Sequence, residues 1–365
     1  MLAAPNIRRA ELRDAAALAM LFGDAAMLPF TTVAPHSSIA YWEKKLAEYA
    51  DAACLPLVAF DVDALTGVLL MRAYPNHIRR KHCAVIDLLA VRPDHRRKGT
   101  GRALIDATIA ACDHWLQMRR IEVTVETNSA PLKRYYASFG FVEEGVKSAH
   151  LLHAGRYVDG TLMSRINARV MPAPASPSLP NPKRLRKSAP LKIAVRPATE
   201  ADAEAFAKVF SDRSASTGTL QHPYTSPEIW RTRLTANAST RQVMLVALVN
   251  GRVVGNAGLH PISDNPREKH VCSLGVSIAH SFQGRGVGRA LMNACLDYAD
   301  RWANYSRVEL SVHADNARAI KLYESLGFEH EGRLRDFSFR EGGYVDALFM
   351  GRLTPALQAT QNERL

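Results

Sequence analysis

A glycine-rich turn in the second half of this chain has the residue types and spacing that could do chemistry. It consists of Gln283, Gly284, Arg285, Gly286, Val287, Gly288 and Arg289, between a strand pattern and an amphipathic helix pattern. The first N–H groups of a helix lack intrahelical partners and the helix dipole is positive there, so a phosphate can approach a bare backbone. The two arginines add complementary charge. The turn therefore predicts a site for a phosphorylated ligand.

The same turn recurs in the first half of the chain. Its residues lie 187 positions earlier and are Arg96, Arg97, Lys98, Gly99, Thr100, Gly101 and Arg102. A single Gly-x-Gly turn is more often a plain connection without a ligand, but repetition favours a binding role. Neither turn matches the Walker pattern or the dinucleotide Gly-x-Gly-x-x-Gly pattern, so nucleotide hydrolysis and NAD binding are disfavoured.

Other landmarks repeat with nearly the same offset. The stretch that begins at Tyr136 returns at Tyr323, 187 positions later, whereas Trp42 and Trp230 lie 188 positions apart. A one-residue insertion or deletion therefore lies between the tryptophans and the glycine turns. Solenoid repeats are only ~20–50 residues long, so a unit of this length indicates a duplicated domain.

Each half has the same order of predicted elements. An Arg-containing strand precedes two helices, and the second of these carries the tryptophan. After them come further strands, then the glycine turn with its helix, then one more strand, a helix and a closing strand pair. In the second half we predict strands at 271–278 and 307–313, helices at 288–302 and 317–325, and the closing pair at 336–352. Asn250-Gly251 is typical of a hairpin turn. The chain is predicted to be α+β, with two tandem mixed sheets and helices on both faces of each.

A proline-rich stretch separates the halves. Residues 171–190 contain six prolines and no apolar periodicity, which predicts an extended tether. We expect domains at 1–169 and 191–354, with a linker at 170–190 and a tail at 355–365. The basic cluster at 183–187 could be a nucleic-acid or targeting patch, but we interpret it as a solvated linker feature.

Composition narrows the class of protein. The 365 residues are 47% hydrophobic and 22% charged, as expected of a globular chain. The five cysteines show neither CxxC nor HxxxH spacing, which predicts no disulfide framework and no metal site. No apolar run follows the N-terminal charges and no stretch approaches the ~20 apolar residues of a spanning helix, so we expect a cytoplasmic protein without membrane contact.

These motifs together resemble the GNAT superfamily of N-acetyltransferases. Its acetyl-CoA signature, Gln/Arg-x-x-Gly-x-Gly/Ala, fits both turns, and a downstream Asn…Tyr…Gly-Phe pattern is met loosely by Asn316, Tyr323, Gly327 and Phe328. The resemblance covers about 160 residues of each half. Residues 219–224 and 343–346 make the second half similar to bacterial L-amino-acid N-acetyltransferases of the phosphinothricin-acetyltransferase-like branch.

The resemblance implies acetyl-CoA as the cofactor and a role for several residues. Both glycine turns would hold it, Asn316 would hold the pantetheine arm, and backbone groups of Val276 and Ile278, or Leu89 and Val91 in the first half, would bind that arm. Tyr323 would face the departing thiolate, with Tyr136 as its counterpart. A phenol of pKa ~10 suits a thiol of pKa ~8.5 as a proton donor. The alternative is that Tyr323 is a helix residue packed beside Phe328.

The implied reaction moves an acetyl group to an amine, and its general base stays open. The strand at 273–278 has no carboxylate, so His222, Asp346 or an ordered water are the candidates, while His313 is interpreted as structural. An α-amino group of pKa ~7.7–8.0 is already partly neutral, so a strong base is not required. We expect Leu220 and Tyr344 to form an apolar acceptor wall, with one polar anchor.

The first half departs further from the pattern. Ser129 stands where the second half has Asn316, although Asn128 is adjacent, and its cofactor strand has Asp87 as a possible base. We expect this half to bind acetyl-CoA, with a different acceptor or little turnover. A degenerate domain retained for packing is the alternative.

The sequence therefore predicts an acetyl-CoA-dependent N-acetyltransferase that acts on a small-molecule amine, with a free amino acid or analogue as acceptor and the second half as the active domain. The alternatives are a protein acetyltransferase, or an acetyl-CoA-sensing regulator with a non-catalytic first half. The net charge of +12 suits an anionic partner. We expect no nucleic-acid partner, because no helix-turn-helix, zinc finger or RNA-binding aromatic pair is recognisable and CoA is itself polyanionic. Nothing in the sequence sets the oligomeric state.

Overall fold

A computed structural model describes residues 5–24, 26–27, 31–34, 36–74, 77–178, 191–211, 213–221, 224–236, 242–355 and 357–358. His222 and the basic cluster at 183–187 lie outside these residues. The chain divides into two compact units, which consist of Met1–Glu144, Leu151–Ala173 and Asn265–Arg267 for the first, and Gly145–His150, Pro174–Asp264 and Glu268–Leu365 for the second.

The first half forms a mixed sheet in the order β1-β2-β3-β4-β5-β7-β6, in which β4 and β5 are parallel. Its elements are β1 (Asn6–Arg9), α1 (Ala15–Gly23), α2 (Ile39–Ala47), β2 (Leu55–Asp61), β3 (Ala64–Ala73), β4 (Cys83–Val91), α3 (Thr100–His114), β5 (Arg120–Glu126), α4 (Ala130–Ala137), β6 (Val142–His153) and β7 (Arg156–Ile166).

The second half repeats this topology as β8-β9-β10-β11-β12-β14-β13, with β11 and β12 parallel. Its elements are β8 (Ile193–Pro197), α5 (Ala203–Ser211), α6 (Arg213–Thr217), α7 (Pro227–Ala236), β9 (Val243–Val249), β10 (Arg252–Pro261), β11 (Val271–Ile278), α8 (Val287–Arg301), β12 (Arg307–His313), α9 (Ala317–Glu324), β13 (Glu329–Arg340) and β14 (Gly343–Leu353).

Most of these bounds lie where the sequence predicted them. The strands β11 and β12 have the predicted ends. Asn250 and Gly251 both have positive φ, 50° and 76°, as a type I′ hairpin turn requires. The closing pair is longer than predicted because β13 begins at Glu329. Its charged first residues hid it from a search for apolar alternation.

Helices cover both faces of the first sheet, as predicted. Along β2, Val58 packs in the cluster of α1 and α2, while Leu57 and Ala59 pack in the cluster of α3. Trp42 stacks on Phe22 with ring centroids 4.7 Å apart. The second half has the matching stack, because the rings of Trp230 and Phe210 lie 4.8 Å apart.

A buried arginine that the sequence analysis missed ties strands together in each half. Arg307 is fully buried, and its guanidinium donates to Glu331 at 2.7 and 2.5 Å and to Glu309 at 3.3 Å. Arg120 holds Glu122 and Glu144 in the same way, and each residue stands 187 positions before its counterpart. This repeated charged triad is the signal that could have revealed it.

The described residues contain no helix that is long and apolar enough to cross a bilayer. All five cysteines are buried, and none of them forms a disulfide bond. Within the described ranges, no group of His, Cys, Asp and Glu side chains is arranged to hold a metal ion.

Candidate active site

Each half leaves one strand edge open beside the glycine turn. The parallel pairing of β11 with β12 covers Val271 to Ser273, and the remainder of β11 up to Ile278 has no register partner on β12. Val276 and Ile278 lie in this open part. Leu89 and Val91 have the matching position, because the pairing of β4 with β5 ends at Ile86. Backbone groups on such an edge can bind an extended ligand.

The first residue of each glycine motif fastens the turn to the end of the strand. Gln283 Nε2 donates to the Ile278 carbonyl at 3.1 Å, and Arg318 Nη1 donates to Gln283 Oε1 at 3.0 Å. In the first half, Arg96 Nε donates to the Val91 carbonyl at 3.1 Å. These side chains position the turn, a role that the sequence motif did not show.

The central glycine of each turn is required by the backbone. Gly286 is the N-cap of α8 with φ of 90°, and Gly99 is the N-cap of α3 with φ of 93°. Side chains rarely adopt this left-handed region. A Cβ at Gly286 would touch only Ile193, at 3.7 Å, so the space above the turn is open. Arg97 adopts a positive φ of 61° where Gly284 has 70°, so that position accepts a side chain.

The last glycine of each turn has a packing role. A Cβ at Gly288 would lie 3.2 Å from Leu322 Cδ2 on α9. A Cβ at Gly101 would lie 3.0 Å from the hydroxyl of Tyr135 on α4. The helix after the turn thus approaches the next helix closely, which the motif alone could not distinguish from phosphate binding.

Cations surround both turns. In the second half, Arg289 is exposed and donates to Ser325 Oγ at 2.7 Å, and the guanidinium of Arg285 lies 5.8 Å from the ring centroid of Phe282. Val287 is buried as the first residue of α8. In the first half Thr100 is buried in the same way, and three cations are exposed, namely Arg97, Lys98 and Arg102. Both turns therefore offer positive charge to an anion.

Asn316 is the N-cap of α9, the helix that carries Tyr323. Its Oδ1 accepts the Ala319 N–H at 3.3 Å. Ser129 caps α4 at the matching position without a side-chain hydrogen bond, and Asn128 is exposed. The two halves therefore differ where the pantetheine arm is expected.

Tyr323 and Tyr136 are buried on their helices. Tyr323 is 8% exposed and its ring lies 6.0 Å from that of Phe328. Burial raises the pKa of Tyr323 to about 12. Burial, with a smaller contribution from Tyr135, also raises the pKa of Tyr136. Both phenols therefore keep their protons at neutral pH, and the contact with Phe328 shows that packing accompanies any catalytic role.

One base candidate of the second half, Asp346, lies within the described residues, and both of its carboxylate oxygens accept hydrogen bonds. Asp346 accepts from Arg333 Nε at 2.9 Å and from the Asp336 N–H at 3.0 Å, one on each carboxylate oxygen. His313 is buried, with Nε2 2.9 Å from Ser338 Oγ. His222 lies outside the described residues.

Asp87 is the one residue that the first repeat has and the second repeat lacks. The pairing of β3 with β4 skips Asp87, because Leu70 faces Leu88 and Met71 faces Ile86. The pairing of β10 with β11 runs without such a bulge. The structure thus locates the extra residue that the spacing of the landmarks had indicated.

The bulge gives the first half its own polar cluster. The Asp87 carboxylate accepts the Tyr49 hydroxyl at 2.7 Å and Arg72 Nε and Nη2, both at 2.9 Å. Burial, followed by the negative charge of Asp87, raises the pKa of Tyr49. Three donors therefore occupy the carboxylate that the sequence suggested as a base.

The residues of the second half that were predicted to form the acceptor wall lie on different elements. Leu220 is half-buried between α6 and α7, where Arg233 Nη1 donates to Gln221 Oε1 at 2.9 Å. Tyr344 is 5% exposed at the start of β14, with its ring 5.5 Å from that of Phe339.

The family model described as Acetyltransferase (GNAT) family matches residues 22–141 and 206–328, one region in each half. The chain belongs to the GNAT family. The superfamily resemblance, the tandem fold and the cofactor are thereby confirmed: the protein is an acetyl-CoA-dependent N-acetyltransferase with two GNAT domains.

Similar proteins include enzymes with different acceptors. The chain is 36% identical over 162 residues to the L-amino acid N-acetyltransferase AaaT of Escherichia coli, which covers 44% of this chain and 98% of the relative. It is 32% identical over 131 residues to the spermidine N(1)-acetyltransferase of Vibrio cholerae. This match covers 35% of this chain and 73% of the relative. The acetyltransferase yncA from Salmonella typhimurium, solved with acetyl-CoA, is 22% identical, covers 44% of this chain and 93% of its own, and has a TM-score of 0.41.

Proposed function

We propose that the second GNAT domain transfers the acetyl group of acetyl-CoA to the α-amino group of a small free amino acid or a close analogue. The carrying observation is that the Asp346 carboxylate is engaged by Arg333 and Asp336, while β11 has no acidic residue. A site of this composition suits an amine that arrives already neutral. An α-amine is less basic than a lysine side chain, so a larger fraction of it is neutral at pH 7.5.

The residues of the second half fit the cofactor. An open edge of β11, a bare turn at Gly286 and the cations Arg285 and Arg289 suit an elongated polyanion that carries a thioester. Acetyl-CoA supplies the activated acetyl group and the thiolate leaving group. The chain supplies backbone N–H groups at the turn, the amide of Asn316, and a proton on Tyr323 that burial retains.

The proposed acceptor wall combines residues from different elements of the domain. Leu220 and Tyr344 offer apolar surface to an amino-acid side chain, and the relative AaaT, whose name assigns it amino-acid acceptors, is similar over nearly its full length. A short pocket of this kind suits a free amino acid better than an extended polypeptide. A protein acceptor is the competing proposal.

The first domain is proposed to bind acetyl-CoA with a different acceptor or with little turnover. Its turn keeps both glycines and three exposed cations, but Ser129 makes no capping bond and the Asp87 cluster has no counterpart in the second half. A regulatory role that senses acetyl-CoA would use the same binding without transfer.

A thiol-release assay on the full chain tests the acceptor class. Pooled amino acids, spermidine and a lysine-bearing peptide with a blocked N-terminus are supplied in separate reactions at equal amine concentration. We expect release with the amino acids to exceed release with the other two at least about tenfold, because the proposed acceptor wall fits a free amino acid and its α-amine is less basic than a lysine side chain. Release with the peptide alone would contradict the proposal, and release with spermidine alone would assign a polyamine acceptor instead.

A further inference from the structure

Residues 174–177, which the sequence places in the tether, lie along the first residues of β14. The Ser176 N–H donates to the Tyr344 carbonyl at 2.9 Å, and the Tyr344 N–H donates to the Pro174 carbonyl at 3.2 Å. Ala175 faces Tyr344 in a parallel bridge. We call residues 174–177 the docked segment. It forms hydrogen bonds with both the backbone N–H and the backbone carbonyl of Tyr344.

Arg340 binds the docked segment and the start of α9 at the same time. Its Nε donates to Ser176 Oγ at 3.0 Å and its Nη2 to the Pro177 carbonyl at 2.8 Å. Nη1 and Nη2 also hold the Asp315 carboxylate at 3.1 and 2.6 Å. Arg340 is 4% exposed, and each of its three guanidinium nitrogens donates at least one hydrogen bond, so the buried charge is well satisfied.

This network ends beside the cofactor residues. Asp315 directly precedes Asn316, the N-cap of the helix that carries Tyr323. The docked segment is therefore connected by hydrogen bonds to Tyr344, and through Arg340 to Asp315, the residue before the N-cap of α9.

Gly343 makes the docking possible. A Cβ at this position would overlap the Pro174 carbonyl oxygen and the Ser176 nitrogen, both backbone atoms. Gly343 lies in a strand and does not have a left-handed φ, so the backbone itself would accept alanine. The absence of a side chain at Gly343 serves the approach of the docked segment.

The first half has none of the residues that build this contact. The 187-residue offset aligns β6 and β7 with β13 and β14 at every boundary. It places Arg156 at the position of Gly343, His153 at that of Arg340, and Asn128 at that of Asp315. An arginine side chain would fill the space of the docked segment, and a histidine and an asparagine cannot form the bidentate pair. The docking site is specific to the second domain.

We propose that the docked segment is part of the acceptor site of the second domain and sets its affinity for the acceptor. This proposal rests on the proposed function of that domain. By holding both backbone groups of Tyr344, the segment fixes the position from which the tyrosine ring can line the acceptor, and Arg340 couples the same segment to α9. Loss of docking weakens acceptor binding without removing the cofactor turn or the phenol of Tyr323.

The test uses the full chain with Gly343→Ala. The added methyl group displaces the docked segment, so amide hydrogen exchange at Ser176 and Tyr344 should become at least about tenfold faster. The KM for the acceptor amino acid should rise about tenfold or more, while the KM for acetyl-CoA and kcat stay within about threefold. Gly23→Ala is the control, since a Cβ at Gly23 would meet no atom within 4 Å.

A second variant acts on the segment alone. Ser176→Pro removes the N–H that binds Tyr344 and the hydroxyl that binds Arg340, and it leaves the β13–β14 hairpin unchanged. It should reproduce the rise in acceptor KM. Faster exchange with an unchanged acceptor KM in both variants would overturn the proposal, as would unchanged exchange at Tyr344. A full chain that acetylates no amino acid would overturn the proposed function itself, and with it this role.

Discussion

Tyr323→Phe should lower kcat for amino-acid acetylation by about 10²- to 10³-fold while the KM for acetyl-CoA changes by less than about threefold. Phenylalanine keeps the ring that packs 6.0 Å from Phe328 and removes only the hydroxyl. The variant therefore removes the proposed proton donor to the leaving thiolate and keeps the packing surface. Steady-state kinetics of the full chain with a single amino acid measures both constants.

The pH dependence of the same pair of proteins sharpens this test. Because burial raises the pKa of Tyr323 to about 12, the phenol stays protonated at least to pH ~10. Below pH ~10 the kcat of the unmodified chain should not fall through ionisation of this phenol. The kcat of Tyr323→Phe should be lower than that of the unmodified chain by the same factor at every pH in this range. Equal losses of affinity and turnover would instead assign Tyr323 a packing role.

Gly286→Val should abolish acetyl-CoA binding at the second domain, with at least about a 100-fold loss of affinity. Valine is strained at a φ of 90°, and its side chain would stand in the open space over the helix N-terminus where the phosphates are proposed to bind. Isothermal titration of the full chain should give two acetyl-CoA sites for the unmodified protein and one for this variant. Gly99→Val should remove the other site.

Gly251→Val is the matched control for backbone strain. Gly251 also has a positive φ, 76°, and a Cβ there would meet no atom within 4 Å, but this glycine lies in the β9–β10 hairpin. Both sites should remain in this variant. A single site in the unmodified chain that Gly286→Val removes would show that the first domain does not bind the cofactor.

The repeat made much of this architecture predictable from the sequence. Because landmarks such as Tyr136 and Tyr323 recur at a constant offset, each half supported the interpretation of the other, and the strands around the turn followed from their apolar runs. The glycine turns at Gly99 and Gly286 were recognisable because only glycine suits a left-handed N-cap that a phosphate approaches.

Other features depend on contacts between residues distant in the chain, which spacing does not encode. The motif did not show that Gly288 and Gly286 have different roles. A Cβ at Gly288 would crowd Leu322, whereas the space around Gly286 is open. The offset showed that one residue was extra, but only strand pairing identified it as Asp87. The prolines predicted a tether, yet the Ser176 N–H donates to the Tyr344 carbonyl on β14, and the missing side chain of Gly343 leaves room for this approach.

The second domain is proposed to acetylate the α-amino group of a free amino acid. Mass spectrometry tests it most directly, on the full chain with Tyr136→Phe, so that the first domain lacks its own phenol, and with amino acids and lysine-bearing peptides supplied together. We predict amino acids acetylated on the α-nitrogen, at a rate that Tyr323→Phe lowers by about 10²- to 10³-fold. Acetylated peptide without acetylated amino acid would contradict the account.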